Sequence, residues 1–183
     1  MRRRRRESTD VAETPPSLTL EEHRDVSHSA ELWLRRALMT ALVLVAGLAL
    51  LNVFGQHPVS TVASGGGATL EINAPTDLRG GVFYMGRFRI TAREEVESAT
   101  LVLDRGWLEH MHINTIEPAP VGEASRGGRL ALDFGHVPAG ETITAYLQFQ
   151  VNPTNVGRSS QGVELHDGET LLARSERTVT VYP

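Results

Sequence analysis

No cysteine occurs anywhere in the 183 residues. Disulfides, thiolate metal sites and a cysteine nucleophile are excluded, and any folded part is held by packing and hydrogen bonds alone. Lysine is missing as well: all 18 basic residues are arginine, a bias we assign to base composition and to no chemistry. Aromatic residues make up only 5 % of the chain, too few for an evident sugar-stacking platform. From Gly55 onward ten arginines face fifteen acids, a poor match for nucleic acid, whose phosphates call for clustered positive charge. There is no Gly-x-Ser-x-Gly elbow, and Gly65, Gly66 and Gly67 are followed by no lysine that would make a phosphate loop. No enzyme activity, no cofactor and no small-molecule substrate is expected.

What the chain does have is one long apolar run. From Ala37 to Phe54 it reads ALMTALVLVAGLALLNVF without a charge, and as a helix rising about 1.5 Å per residue it covers about 27 Å, close to the hydrocarbon thickness of a bilayer. A core helix of a soluble protein keeps a polar stripe. Here Ala37, Leu42, Val45, Leu48, Leu51 and Phe54 are among the apolar residues that occupy every face. A membrane-spanning helix is therefore expected within residues 31–55. Arg24, Arg35 and Arg36 precede the run, with Arg2 to Arg6 further back, and the first basic residue after it is Arg79. By the positive-inside rule these arginines set the topology: N-terminus cytoplasmic, C-terminal part outside the plasma membrane. The rival is a cleaved signal peptide, since Thr61-Val62-Ala63 before Ser64 is a tolerable small-residue site. Against it stand the 36 residues ahead of the run and a run longer than the apolar core of about 7 to 15 residues in a signal peptide. An uncleaved anchor is the expectation.

Residues 1–30 combine the arginine run, scattered acids and Pro15-Pro16 with almost no apolar periodicity, which predicts a disordered cytoplasmic tail. Residues 56–67, rich in Gly, Ser and Thr, read as a flexible linker holding the next domain about 20 Å from the bilayer. Over residues 68–183 the pattern changes to short stretches of two-residue period broken by Gly, Pro, Asn and Asp, the signature of antiparallel sheet. Strands are predicted at residues 69–73, 82–92, 98–103, 110–116, 129–134, 141–151, 162–166 and 171–182, the last interrupted. The clearest alternation places Ile143, Ala145, Leu147, Phe149 and Val151 on one face, with Thr142, Thr144, Gln148 and Gln150 on the other. The expected fold is mainly β: a single antiparallel sandwich of seven to eight strands, preceded by one transmembrane helix and the disordered tail.

The stretch Leu132-Asp133-Phe134-Gly135-His136-Val137-Pro138-Ala139-Gly140-Glu141-Thr142, the strand running on to Val151, and the closing Arg177-Thr178-Val179-Thr180-Val181 resemble the bacterial extracellular immunoglobulin-like domains of the conserved-repeat type. The resemblance is one of pattern and extends over residues 68–183. It departs from the family in having one copy where tandem arrays are common, and in its N-terminal anchor. It implies an immunoglobulin-like β-sandwich in a bacterial cell envelope, and it supplies no catalytic residues. Trp107, with no cysteine pair to cover, reads as a packing or rim residue.

Among chemistry-bearing residues, His110 and His112 flank Met111. Residues i and i+2 of a strand share a face, so two imidazoles at that spacing could hold a metal, but two ligands without a third make a weak candidate beside a solvated pair. His136 and His166 sit beside turns and are expected to be exposed. Glu94, Glu95 and Glu97 read as a hydrated loop, because no spaced Asp and Gly accompany them. The function expected is non-enzymatic. A single-pass protein in the lipid bilayer presents its outer domain to another envelope protein, a membrane partner or a second copy of itself, through loops and sheet edges. The rivals are a cell-wall glycan-binding module and a metal-handling protein using His110 and His112.

Overall fold

The structure is a computed structural model and describes residues 28–51, 53 and 55–183. Most of the tail expected over residues 1–30 lies outside the described residues, as do Arg24 and Phe54.

The Ala- and Leu-rich run forms helix α1 (His28–Leu50). Its stretch Ala30–Leu50 is apolar enough and, at 21 residues, long enough to cross a membrane, since it measures about 31 Å. None of it is buried inside the protein. Arg35 and Arg36 lie within the helix, and Ala37, Leu42, Val45 and Leu48 stand exposed along it. Leu51 follows in a closing turn, its N–H donating to Gly47 O at 3.0 Å.

Gln56–Pro183 forms a compact unit of its own, built of thirteen strands where seven to eight were expected. The first sheet has the order β1 (Pro58–Gly65), β2 (Ala68–Pro75), β4 (Phe83–Ala92), β9 (Thr142–Val151), β6 (Met111–Glu117). The second runs β12 (Thr170–Ser175), β11 (Val163–Asp167), β5 (Ala99–Leu103), β8 (Arg129–Asp133), β7 (Gly122–Arg126). A third joins β10 (Gly157–Ser160), β13 (Thr178–Tyr182) and β3 (Asp77–Arg79), the last two in parallel. Every other named pairing is antiparallel.

The excess over the sequence reading comes from β1, β3, β7 and β10, short segments at or near sheet edges where burial does not impose a run of alternating apolar residues. The strand expected over residues 171–182 is two strands, parted by Glu176 and Arg177. The linker expected over residues 56–67 is also different. Gly66 and Gly67 have φ of 46° and 77°, the left-handed pair that a two-residue hairpin turn demands, and they join β1 to β2 with Gly65 opposite Ala68. The glycine triplet is a hairpin, and β1 is an integral edge strand. A second turn, Pro138 to Glu141, closes with Glu141 N–H on Pro138 O at 3.0 Å and Gly140 at φ 86°.

One core cluster draws on all three sheets. Ala145, Leu147, Phe149 and Val151 of β9 face inward as their alternation demands, against Phe88 and Ile90 of β4, Leu101 and Leu103 of β5, and Val179 and Val181 of β13. Each large side chain taken out of water contributes roughly 1.5–3 kcal/mol. A 3₁₀ turn over Arg105–Trp107 drives the indole of Trp107 into the centre, fully buried, 5.1 Å from the Phe149 ring and 5.3 Å from that of Phe88. Its Nε1–H donates to Gln161 O at 2.9 Å. Trp107 is therefore a core residue and no rim.

The strands run between two ends. At the near end, where the chain enters, Gln56 Nε2 donates to Phe83 O, and Phe83 lies opposite Gln150, which in turn lies opposite His112. The loop at Gly80 and Gly81 is there too, with Gly80 N–H on Tyr182 O and Gly81 N–H on Val151 O, both 3.1 Å. The far end carries the Gly66-Gly67 turn, against which Glu94 N–H bonds, and the turn at Gly168, which bonds Ser98 O.

Candidate functional site

The β7–β8 hairpin lines two open clefts of the domain. Gly127 and Gly128, both at positive φ (60° and 73°), turn the chain so that Arg126 pairs with Arg129, Ala124 with Ala131 and Gly122 with Asp133. On the other side of β8, Phe134 N–H donates to Ala99 O at 2.9 Å, which directs the backbone of Leu130 and Leu132 toward β5 and that of Arg129, Ala131 and Asp133 toward β7. Gly122, Ala124 and Arg126 therefore bond to β8. The N–H and C=O groups of Glu123 and Ser125 point out of the sheet, where no strand follows among the described residues.

A cleft of about 650 Å³ lies over the outer face of the second sheet, floored by Thr100, Ala131 and Asp133 and walled by β7. Arg126 spans it: Nη2 donates to Gly168 O and to Glu169 Oε1, each at 2.9 Å. These bonds join one edge of the sheet to the turn on the far side of β5, so the hairpin curls across the face. A second cleft of about 460 Å³ runs along the same strand beside Leu108 and Leu130. Leu130 and Ala131 face opposite ways, so β7 has room for side chains on both faces.

Beneath the outer face lies an ion network centred on Glu164, whose side chain is only 10 % exposed. Its Oε2 accepts from Arg129 Nη2 at 2.9 Å and lies 3.0 Å from His166 Nε2, while Oε1 accepts from Arg174 Nη1 at 3.2 Å. Arg129 Nη1 donates onward to Asp104 Oδ1 at 3.3 Å, and Ser160 Oγ donates to Asp104 Oδ2 at 2.9 Å. The hydrogen bond from the Arg129 guanidinium, with help from His166, holds the Glu164 carboxyl down to about 2. The bonds to Glu164 and Asp104 in turn hold Arg129 above its ordinary value. Both oxygens of Glu164 are occupied by partners, an arrangement suited to tying β8, β11 and β12 together.

The residues singled out from the sequence fall elsewhere. His110 has a left-handed backbone (φ 57°) in the turn before β6, and His112 stands on β6 itself, so the two do not share a strand face as their spacing suggested. Among the described residues no three His, Asp or Glu side chains are grouped to hold a metal ion. His136 is exposed as expected and its Nε2 lies 3.0 Å from Glu95 Oε1. His166, expected at the surface, is buried, because the outer face of the second sheet is covered and Glu164 provides its partner. The β7 edge escaped the sequence reading because Gly-Glu-Ala-Ser-Arg shows no apolar alternation. The available signal was Gly127-Gly128, a two-glycine turn of the kind that closes hairpins.

No protein-family model matches the chain, and no curated protein matches its sequence. Among solved structures, a non-cellulosomal cohesin from the hyperthermophilic archaeon Archaeoglobus fulgidus aligns with 60 % of this chain and 88 % of its own, at 15 % identity and a TM-score of 0.37. The structure described as "AvmM Catalyzes Macrocyclization in Alchivemycin A Biosynthesis" aligns with 70 % of this chain and 92 % of its own, at 10 % identity and a TM-score of 0.40. At those scores neither bears on function.

Proposed function

We propose that the chain is a non-enzymatic, single-pass membrane protein of the bacterial envelope. Its extracytoplasmic immunoglobulin-like domain, of the conserved-repeat type, binds another protein by accepting an extended strand along β7. The observation that carries this reading is the unpaired backbone of Glu123 and Ser125 with a cleft on either face of the strand. An incoming strand would complete the ladder, and its alternate side chains would enter the two clefts.

The edges of the first sheet and the opposite edge of the second are protected in the ways natural sheets protect theirs. The first sheet's β6 is bulged between Ile113 and Thr115 and is followed by Pro118 and Pro120. At the opposite side β1 and β12 close on each other, with Gly65 against the carbonyl of Leu172. β7 has neither bulge nor proline. Anchoring is supported by the unburied apolar span Ala30–Leu50, and a cytoplasmic N-terminus by the arginines that precede the apolar run.

The test is crosslinking in intact cells followed by purification in mild detergent, comparing wild type with Ser125→Pro. Proline there removes an outward N–H and no ladder bond. Wild type should capture a protein partner that S125P loses while melting at the same temperature. A chain that runs alone after crosslinking, or a variant that captures as well as wild type, would refute the reading.

A further inference from the structure

Apolar side chains exposed singly on a domain surface call for no explanation, but here several gather at one end. Phe83 is 55 % exposed, Val156 58 % and Tyr182 50 %, with Met85 one pair further in at 52 %. All stand at the near end, on the start of β4, the loop after β9 and the last residue of β13. The same end receives the chain, through the bond from Gln56 Nε2 to Phe83 O. Because β1 takes up most of the expected linker, only residues 51–55 separate the end of α1 from Gln56. By chain length alone, those steps reach no more than about 20 Å when fully extended.

Charge is distributed in the matching sense. Glu94, Glu95, Glu97, Glu141 and Glu169 are exposed at the far end, five acids beside the exposed Arg93. At the near end the exposed Arg79 and Arg158 offset Asp77 and Glu109. A domain held close to an anionic lipid surface is repelled least with its acidic end outward. Tyrosine is also at home where one side of the ring is apolar and the hydroxyl is wet.

We propose that the near end of the sandwich rests on the surface of the bilayer that α1 spans, with Phe83, Val156 and Tyr182 set into the headgroup layer. The inference rests on the reading of α1 as a retained anchor. It goes beyond that reading by giving the domain a fixed orientation, which leaves β7 at the side of the molecule, free for a partner.

The absence of cysteine makes the test clean. Phe83→Cys, Val156→Cys, Glu95→Cys and Glu169→Cys are each made in the full chain, labelled with a bimane fluorophore and placed in phosphatidylcholine–phosphatidylglycerol nanodiscs containing nitroxide-headgroup lipid. Labels at 83 and 156 should be quenched about threefold or more above those at 95 and 169, as expected for residues within the interfacial layer. A label at Arg79→Cys should lose much of its quenching in the Phe83→Ser, Val156→Ser double variant, provided that variant melts as wild type does. Equal, weak quenching at all four sites while the chain stays in the membrane through carbonate extraction would overturn this inference and leave the anchor reading standing. Release of the full chain by carbonate would overturn both.

Discussion

Arg177 lies across the indole of Trp107, its guanidinium carbon 5.2 Å from the ring centroid. It is only 8 % exposed, and burial pulls its pKa below the ordinary arginine value, though an arginine begins so high that it stays charged. Its Nη2 donates to Ala74 O and Pro75 O, both at 2.9 Å. The segment between β12 and β13 is thereby fastened to the end of β2 over the central tryptophan. In a domain without cysteine, this contact bridges distant parts of the chain where another sandwich could use a disulfide.

Arg177→Ala should therefore cost about 2–4 kcal/mol, because two buried carbonyls lose their donor and the indole loses its cover. Arg177→Lys should recover little of this, since an ammonium on a flexible stem cannot stack flat while serving both carbonyls. Urea unfolding of the full chain in detergent, followed through Trp107 fluorescence in a Trp33→Phe background, measures both. A lysine variant as stable as wild type would show that charge alone suffices and that the stacked geometry does not matter.

The Glu164 network predicts an acid-sensitive fold. The Glu164 carboxyl is depressed from 4.5 to about 2 in the folded state. Its contribution is therefore fully present above the unfolded pKa and is lost as pH falls toward the folded one. With Arg174 half-exposed at the rim and solvent screening the cluster, that contribution should be on the order of 1–2 kcal/mol. Glu164→Gln should be less stable than wild type at neutral pH. Its stability should also fall less steeply between about pH 5 and pH 3, where wild type protonates this group on unfolding. Parallel pH profiles for the two proteins would place the acid sensitivity elsewhere.

Gly106 is held by close approach. A Cβ at that position would fall inside contact distance of Ser160 O, a backbone atom with no freedom to swing away. The turn that seats Trp107 and the strand β10 meet at this point. Gly106→Ala should cost several kcal/mol, about what overpacking a core costs at its upper range, and should shift Trp107 emission to the red. Unchanged emission with unchanged stability would mean that β10 moves aside freely.

How much of this was legible in advance depended on burial. Where a strand has one face in the core, as β9 does from Ile143 to Val151, alternation of apolar and polar residues identifies it and its inward face. Where a strand lies at an edge, as β7 does, Gly-Glu-Ala-Ser-Arg carries no such mark, and only the turn glycines at 127 and 128 betray it. The same turn chemistry at Gly66 and Gly67 passes for flexibility when composition is weighed without geometry. His166 and Arg177 were illegible for another reason. His166 has its partner Glu164 two residues away on the same strand, but what covers the pair, Arg129 from β8 and Arg174 from β12, becomes a neighbour of Glu164 only once the topology is set, as do the carbonyls of Ala74 and Pro75 for Arg177.

The position of β1 bears on whether the helix is retained. The small-residue site Thr61-Val62-Ala63 lies in the middle of β1, where Ala63 pairs with Leu70 in a ladder of eight residue pairs. Removal of residues 1–63 would strip this strand and uncover β2, whose Ala68, Leu70, Ile72 and Ala74 are fully buried. Losing the cover of even two such side chains would cost several kcal/mol at about 25 cal/mol per Å², a large share of the roughly 5–15 kcal/mol that holds a domain together. We therefore expect intact mass measurement on protein from membranes to find the helix still attached, and a truncated chain beginning at Ser64 to unfold at much lower urea than one beginning at Gln56. A mature chain starting at Ser64 and melting as high as the longer one would show that β1 is dispensable, and the anchor with it.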